Sequence, residues 1–364
     1  MRSLSGALTT AQKATTATPY VKFKLTSVGG GTTYDYTARV LRLEHHEEPY
    51  NEYATVVLDN HDRGVADDVR GYWVQIAYGY ITGNAVADSE GSESAGNNST
   101  AEYSYTPRLW VKNQMELSSR GNVKTILELE GMWNILREIQ WISAAEGPPS
   151  FYYKGYSTDT VMAIISSLLG DVGFSLDAIG TQSDGIIDVD TPIFQINGAD
   201  AVEVFDYYAD IIYRLLTITK CYLRSKTGLA FKVIYPQSGD AVDETYYSDQ
   251  QYIFSEYLER KKLLIPNHIY VLWGDPGGGL GWPDWDWTAG HAGEAVDATE
   301  VAMYRDCPGI IIAGELTTEA AADVRASAKL TRLKAEQLGG HLVVRHDCSV
   351  ELYDRVEIDD QRGH

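Results

Sequence analysis

The sequence predicts a mainly β protein with smaller α+β parts, and three observations support that fold class. Apolar and aromatic residues alternate with their neighbours along Tyr72–Tyr78 and Val123–Leu129, which is the period of a half-buried β-strand. The chain has 25 Tyr and 8 Trp against 7 Phe, and Tyr and Trp suit β-surfaces and interfaces. Apolar residues recur at helical spacing in only a few segments, such as Val161–Leu169.

The prediction for the N-terminal part of the chain starts from the segment Ala54–Gly79. Ala54–Leu58 is a short β-type run, Asp59–Gly64 is rich in turn-forming residues, and alternation then returns. Gly71 and Gly79 bracket the second run, and we expect a tight turn at each of them. The order strand, polar loop, strand predicts a hairpin.

The residues on both sides of this segment have the pattern of one compact β domain. Residues 1–19 are rich in Ser, Thr and Ala, so we expect an extended N-terminal arm that is ordered only on a partner. Alternating strands begin at Tyr20, and the polar tract Ile81–Glu102 has the composition of a loop. A short helix is expected at Gly131–Trp141. Residues 20–146 are therefore predicted to form a β-barrel closed by one helix.

A linker rich in Gly and Pro at Glu146–Pro149 separates this domain from an α+β middle region, residues 150–240. We expect its first helix to be capped by Ser157 or Thr158 and to end at Gly170.

The second helix of the middle region is expected to begin at Asp200, where Glu203 completes a capping box. The residues expected to be buried on it include Tyr208, Ile212, Leu215 and Leu216. A strand pair around the turn Ser225–Gly228 follows.

Residues 241–364 are predicted to form a second β domain. Strands are expected at Tyr252–Leu263, His268–Leu272, Ile310–Ala313, His341–His346 and Val350–Asp359. The Gly- and Trp-rich segment 274–294 is an inserted loop. Residues 317–338 have the pattern of a long helix, which Gly339 and Gly340 would stop.

The charge of the chain limits its partners. It has 51 acidic and 30 basic residues, a formal net charge of −21, which argues against tight binding of nucleic acid. An acidic wall would instead let DNA slide past, although solubility alone explains the charge equally well.

Cys221, Cys307 and Cys348 are too widely spaced for a disulfide framework or zinc site. With neither a bilayer-length apolar run nor a secretory signal, we expect folding in a cytoplasm and no membrane insertion.

The sequence predicts no catalytic residue, no cofactor and no metal site. Gly277–Gly279 lacks the Lys and Ser or Thr that complete a phosphate-binding loop. His45–Glu48 lacks the i, i+4 histidines of a helical zinc site and is followed by Pro49, so we expect a solvated turn there.

The inserted loop is the most distinctive candidate site. Its aromatic residues Trp282, Trp285 and Trp287 are interleaved with the carboxylates of Asp284 and Asp286. Aromatic faces beside carboxylates can hold sugars, and a carboxylate pair can hydrolyse glycosides. Two acids one residue apart on a glycine-rich loop are poorly placed for catalysis, so we favour a contact with a partner protein.

Four segments resemble, in order, the hub proteins of tailed phages. They are Asp59-Asn60 with Gly71 and Gly79, the helix Asp200–Leu216 before a hairpin, Pro266–Val271, and Val350–Asp360 after a long helix. The pattern is similar to the central hub of contractile baseplates and to the N-terminal region of type VI secretion spike proteins. The insertion 274–294 departs from that pattern.

The resemblance implies two tail-tube-like β-barrel domains per chain, joined by small helix-containing domains. It implies a homotrimer that matches a sixfold tail tube to a threefold tip. The implied partners are the distal tail tube ring, the tape measure protein and a tail spike or fibre protein, with DNA passing through unbound. The implied location is the tip of the virion tail, after assembly in the host cytoplasm.

Two other function classes remain open at the level of sequence. One is a phage-encoded glycan or peptidoglycan hydrolase that uses the loop 282–287, and the other is a monomeric β-rich adhesin. The hub interpretation alone requires a threefold ring, with interfaces above roughly 2,000 Å² that bury many Tyr and Trp side chains.

Overall fold

The computed structural model describes residues 1–84, 91–94, 100–119, 121–141, 154–156, 160–177, 194–196, 207–237, 240–250, 253–261, 264–273, 292–313, 316 and 318–362. Strands outnumber helices among them, so the protein is a β-rich α+β fold, as the sequence predicts. None of the described helices is both long enough and apolar enough to span a membrane.

The first residues form a helix, α1 (Gly6–Lys13). It begins after Ser5, whose Oγ accepts a hydrogen bond of 3.0 Å from the Leu8 backbone N–H. Leu8 is fully buried against Tyr80 and Cys348. The prediction of an extended conformation is therefore wrong for α1, because the helix is held by residues far along the sequence.

In the described part of the chain, nine strands form the N-terminal sheet. They are β1 (Pro19–Lys22), β2 (Lys24–Thr26), β3 (Thr33–Asp35), β4 (Val40–Glu48), β5 (Asn51–Asp59), β6 (Trp73–Ile81), β7 (Ser92–Ser94), β8 (Thr100–Ser119) and β9 (Asn122–Gly131). The main path is β3-β2-β6-β8-β9-β5-β4, with β1 paired to β6 and β7 paired to β8. Alternate residues of β5 and β9, including Val56 and Leu127, point into one core.

The hairpin predicted within Ala54–Gly79 does not form. β5 pairs with β4 and β9, whereas β6 pairs with β8, so two strands lie between β5 and β6. Gly71 has a φ of +73° and turns the chain as expected. Gly79 instead lies inside β6, where an added Cβ would be 1.9 Å from the Glu102 carbonyl oxygen. Part of the polar tract predicted as a loop also belongs to strands, namely β7 and the start of β8.

The N-terminal sheet must curl strongly. Its edge strands β3 and β4 are six strand spacings apart along the sheet, about 29 Å if the sheet were flat. Only Tyr36–Arg39 connect them, and such a connection spans at most about 18 Å. Side chains from both edges, Tyr34 and Leu43, pack against the same core. Among the described residues no ladder joins β3 to β4, so hydrogen bonds do not close the sheet.

Three of the described helices pack in the core of the middle region, and the first of them is the short helix expected within Gly131–Trp141. Its elements are α2 (Met132–Leu136), β10 (Lys154–Tyr156), α3 (Val161–Asp171), β11 (Ser175–Asp177), β12 (Phe194–Ile196), α4 (Tyr208–Thr217), β13 (Tyr222–Lys226) and β14 (Ala230–Ile234). The predicted buried stripes are confirmed: Ile165 and Leu168 of α3 and Ile212 and Leu215 of α4 are fully buried.

The predicted helix ends in this region need correction. Thr160, rather than Ser157 or Thr158, caps α3 by accepting a hydrogen bond from the Ala163 N–H. Tyr207 has extended backbone angles, so α4 begins at Tyr208 and not at Asp200, which lies outside the described residues.

The described residues of the C-terminal region form three small sheets and two helices. Its elements are β15 (Glu244–Tyr247), β16 (Phe254–Lys261), β17 (His268–Trp273), β18 (Ala292–Val296), α5 (Ala298–Met303), β19 (Pro308–Ala313), α6 (Glu319–Ala335), β20 (Leu338–Val344) and β21 (Val356–Asp359). β15 pairs with β21, β16 pairs with β20, and β17 lies between β18 and β19.

The helix α6 packs on the β18-β17-β19 sheet. Gly293 of β18 allows this, since an added Cβ would be 2.5 Å from the Ala322 backbone carbon. Gly339 and Gly340 do not stop the helix: α6 ends at Ala335, and both glycines lie in β20, where they pair with β16.

Candidate functional site

The residues of the predicted partner-contact loop, Trp282, Trp285, Trp287, Asp284 and Asp286, lie outside the described residues. The end of the predicted insertion is described. Gly293 and Glu294 belong to β18 and pair with β17, so the inserted segment ends earlier than 294.

Exposed apolar side chains lie on one side of the β18-β17-β19 sheet, beside the ion pair of His268 with Glu294. On β19, Ile310 and Ile312 are 62% and 52% exposed, and on β18 Val296 is 48% exposed. Ile310 lies opposite Tyr270 in the ladder, and Ile269 and Val271 point to the other side, toward α6. The sheet therefore buries one face, and its other face exposes Val296, Ile310 and Ile312 beside the charged Glu294.

The exposed apolar residues are unevenly distributed along the chain. Among the described residues, twenty large apolar side chains are exposed, and twelve of them follow residue 240. Residues 20–146 contribute five of the twenty. Since exposed apolar side chains concentrated in one region mark interaction sites, the C-terminal region is the candidate assembly surface.

Strand edges in the same region are also unpaired. In the described pairings, β18 and β19 each bond only to β17, and the β15-β21 and β16-β20 sheets have two strands each. Unpaired edges offer backbone donors and acceptors to another chain. The edges and the apolar face together favour association with a further polypeptide.

A buried network of charges joins the three parts of the chain. Arg224 of β13 lies 3.0 Å from Asp354 and 3.0 Å from Glu351. Arg2 lies 3.2 Å from Glu47 of β4 and 3.8 Å from the same Glu351. The Arg2, Arg224 and Asp354 side chains are each less than a tenth exposed. These contacts fix the N-terminal sheet against the middle and C-terminal regions.

Two histidines lie beside this network. His45 of β4 and His346 both contact the Tyr78 ring, at centroid distances of 6.0 and 4.3 Å. Burial lowers the pKa of each imidazole to about 4, and the positive charge of Arg2 adds to the effect. Both imidazoles are therefore neutral at pH 7.

The predicted solvated turn at His45–Glu48 is wrong. These residues belong to β4, the turn follows at Pro49-Tyr50, and the His45 side chain is only 7% exposed. No three His, Cys, Asp or Glu side chains in the described part of the chain are grouped so that they could hold a metal ion.

Glu52 of β5 is a buried carboxyl group. Burial raises its pKa to about 8, and the carboxylate of Glu47, opposite it in the ladder, adds to the shift. Its Oε2 has no hydrogen-bond partner among the described residues. Glu52 is therefore largely protonated at pH 7, between the N-terminal sheet and the middle region.

A cavity of about 760 Å³ lies where the three parts of the chain meet, with Tyr50, Tyr222, Tyr353 and Arg332 in its wall. Arg332 of α6 donates to Tyr50 Oη at 3.0 Å and to the Leu216 carbonyl at 2.9 Å. Burial raises the pKa of all three tyrosines. The phenols stay protonated, so this wall offers hydrogen bonds and ring faces rather than a general base.

Solved structures with the same fold include three tail proteins. The tail protein from Neisseria meningitidis MC58 aligns with a TM-score of 0.58 and 12% identity, over 94% of this chain and 87% of that chain. The chain has the fold of phage tail proteins. The 43 kDa tail protein of prophage MuSo2 from Shewanella oneidensis gives 0.57 and 12%, over 93% and 89%. The prophage tail protein gp18 from Listeria monocytogenes EGD-e gives 0.55 and 10%, over 93% and 84%.

The similarity to these tail proteins is found in the structure and not in the sequence searches. No protein-family model matches the sequence, and the search of curated proteins finds no match. At 10–12% identity, the similarity to the tail proteins concerns the arrangement of elements along nearly the whole chain.

Proposed function

We propose that the protein is a structural component of a phage tail, a trimeric hub at the distal end of the tail tube. The shared fold with three tail proteins supports a tail role. The main support for self-assembly is the exposed apolar side chains Ile310 and Ile312, in a region with unpaired strand edges. A chain that assembles with its own copies covers such a face without any other protein.

Each chain contributes two tube-like β-barrels to a ring of six. For the first barrel, the support is the curled N-terminal sheet, whose edge strands are joined by four residues. For the second, the support is the set of small C-terminal sheets, whose edges become paired when neighbouring chains meet. Three chains then match a sixfold tube to a threefold tip.

The ring surrounds a channel through which DNA passes without being held. A trimer has a formal charge of three times −21, or −63, so it repels the phosphate backbone. The function is structural rather than enzymatic, and it is exerted at the tail tip of the virion after assembly in the host cytoplasm.

The ring contacts a different partner on each side. The distal tail tube ring and the tape measure protein lie on the tube side, and a spike or fibre protein closes the tip. The tryptophans Trp282, Trp285 and Trp287, with Asp284 and Asp286, contact the tip partner.

Substitution of the apolar face tests the self-assembly. Ile310→Lys with Ile312→Lys places two charges on the face, whereas Val28→Lys adds a charge to an apolar residue that is 77% exposed in the N-terminal region. In sedimentation velocity, we expect the double variant to dissociate to folded monomers and the Val28 variant to sediment like the wild type. A double variant with unchanged mass would remove the support that this face gives to the proposal.

A further inference from the structure

Arg108 of β8 lies against two tryptophan rings on the face of the N-terminal sheet that is turned away from its own core, where Trp110 also contacts Phe174 of the middle region. Its guanidinium carbon is 3.7 Å from the Trp73 ring centroid and 5.9 Å from that of Trp110. The ladder explains the arrangement: Trp73 lies opposite Trp110, and Gln75 lies opposite Arg108. All four side chains are on one face, because Val74 and Leu109 between them point into the core.

No described residue offers the Arg108 guanidinium an anionic partner. Among the described residues it makes no hydrogen bond or ion pair, and its Nε is buried without an acceptor. Burial lowers the pKa of Arg108, and no carboxylate opposes that effect. Lys112, four residues further along β8, lies instead between Glu130 and Glu138.

A guanidinium in this position is a receptor for an anion. It has five N–H donors and no acceptor, and aromatic rings satisfy its charge only in part. The Trp73 ring, 3.7 Å from the guanidinium carbon, restricts where the side chain can lie, and a guanidinium can give two parallel hydrogen bonds to a carboxylate. What distinguishes Arg108 is that its Nε is buried without an acceptor, so among the described residues only the two rings satisfy its charge.

We propose that Arg108, held by Trp73 and Trp110, binds a carboxylate side chain of a second copy of this chain. The proposal rests on the self-assembly proposed above. Every copy has a surplus of acidic residues, so charge complementarity favours another copy as the source of the carboxylate. A nucleic acid phosphate is a poorer match, since Lys112 is already paired and the strand β8 has no further Lys or Arg.

The test compares Arg108→Gln with Arg70→Gln in the full-length chain. Arg70 is a matched control because its side chain is 91% exposed and pairs with Asp68 of its own chain. Self-association is measured by sedimentation equilibrium at low and high salt, with circular dichroism to check folding. We expect Arg108→Gln to weaken association at least about tenfold, which is the usual size for a lost interfacial charge contact. Arg70→Gln should match the wild type.

Arg108→Lys keeps the charge and loses the paired donors of the guanidinium. We expect it to fold and to associate with intermediate affinity, so it also serves as the test if Arg108→Gln fails to fold.

If the wild type associates and both Arg108 variants associate equally well, the carboxylate site is wrong while the hub proposal stands. If the wild type stays monomeric, the hub proposal itself fails, and this site fails with it. Loss of single-stranded oligonucleotide binding in Arg108→Gln, with unchanged self-association, would assign the site to phosphate and overturn the carboxylate.

Discussion

Arg224 Nη1 donates a hydrogen bond of 3.0 Å to Asp354 Oδ1, and this contact joins the middle region to the end of the chain. Both side chains are less than a tenth exposed. Removing one partner from a buried ion pair typically costs about 3–5 kcal/mol when the other charge is left unsatisfied. Asp354 keeps a hydrogen bond of 2.9 Å from the Met1 amino group, so we expect Arg224→Gln to lower the free energy of unfolding by less than that range, as measured by urea denaturation.

The exposed pair Arg70–Asp68 is the control for that substitution. Its side chains are 91% and 52% exposed, and water screens such pairs. Arg70→Gln should leave the denaturation midpoint unchanged. An Arg224→Gln protein as stable as the wild type would mean that the buried network does not hold the regions together.

Glu52 predicts a loss of stability as the pH rises. Its pKa is about 8 in the folded protein and 4.5 in a solvated carboxyl, so the folded state retains a proton that the unfolded state releases in this range. The free energy of unfolding should therefore fall between pH 4.5 and pH 8. Glu52→Gln removes the titration and keeps the shape, and we expect it to be more stable than the wild type at pH 8 by a few kcal/mol, on the order of the linkage term.

The measurement is a series of urea titrations of both proteins from pH 4.5 to pH 8. The difference in stability between Glu52→Gln and the wild type should grow with pH. A constant difference across the range would show that Glu52 is ionised in the folded state.

The buried side chains of His45 and His346 should instead make the protein less stable as the pH falls. Their pKa values are about 4 in the folded protein and 6.5 in a solvated imidazole, so the unfolded state binds protons first as the pH falls. Stability from these groups is complete above pH 6.5 and is lost progressively toward pH 4. His346→Phe keeps a ring on Tyr78 and should reduce this acid-induced loss in thermal unfolding. His61→Gln, at a histidine that is 67% exposed, should not reduce it.

The tryptophan loop gives a prediction about tail assembly. Each of Trp282, Trp285 and Trp287 can bury on the order of 200 Å², so leaving them in water favours aggregation unless a partner covers them. We expect the triple Ala variant to fold normally and to assemble poorly with the tip protein, counted as complete tails by electron microscopy. Asp284→Asn with Asp286→Asn should have a smaller effect. Normal tails from the triple variant would show that no partner needs these rings.

Local sequence predicted the elements better than their partners. The alternation along Tyr72–Tyr78 predicted β6 because one face of the strand is buried, and the apolar stripe of α3 predicted that helix for the same reason. The pairing of β5 with β9 instead of β6 could not be predicted, since ladder partners depend on the whole sheet. The same holds for α1, which needs a contact between Leu8 and Cys348.

The candidate surfaces were harder to predict than the elements. The run Ile310–Ile312 indicated a strand, but an apolar run does not show which face remains open. The Arg108 site depends on the ladder between β6 and β8, which places Trp73 beside a residue 35 positions away. The contact of Arg224 with Glu351 and Asp354 likewise joins residues that are distant in the sequence.

The mass of the protein in solution shows whether three copies associate, as a ring of three requires. Light scattering of the purified chain, at micromolar concentration and alone or with its tail partners, measures that mass without any label. We expect a trimer, three times 40.3 kDa or about 121 kDa. A mass of 40.3 kDa under every one of these conditions would contradict it.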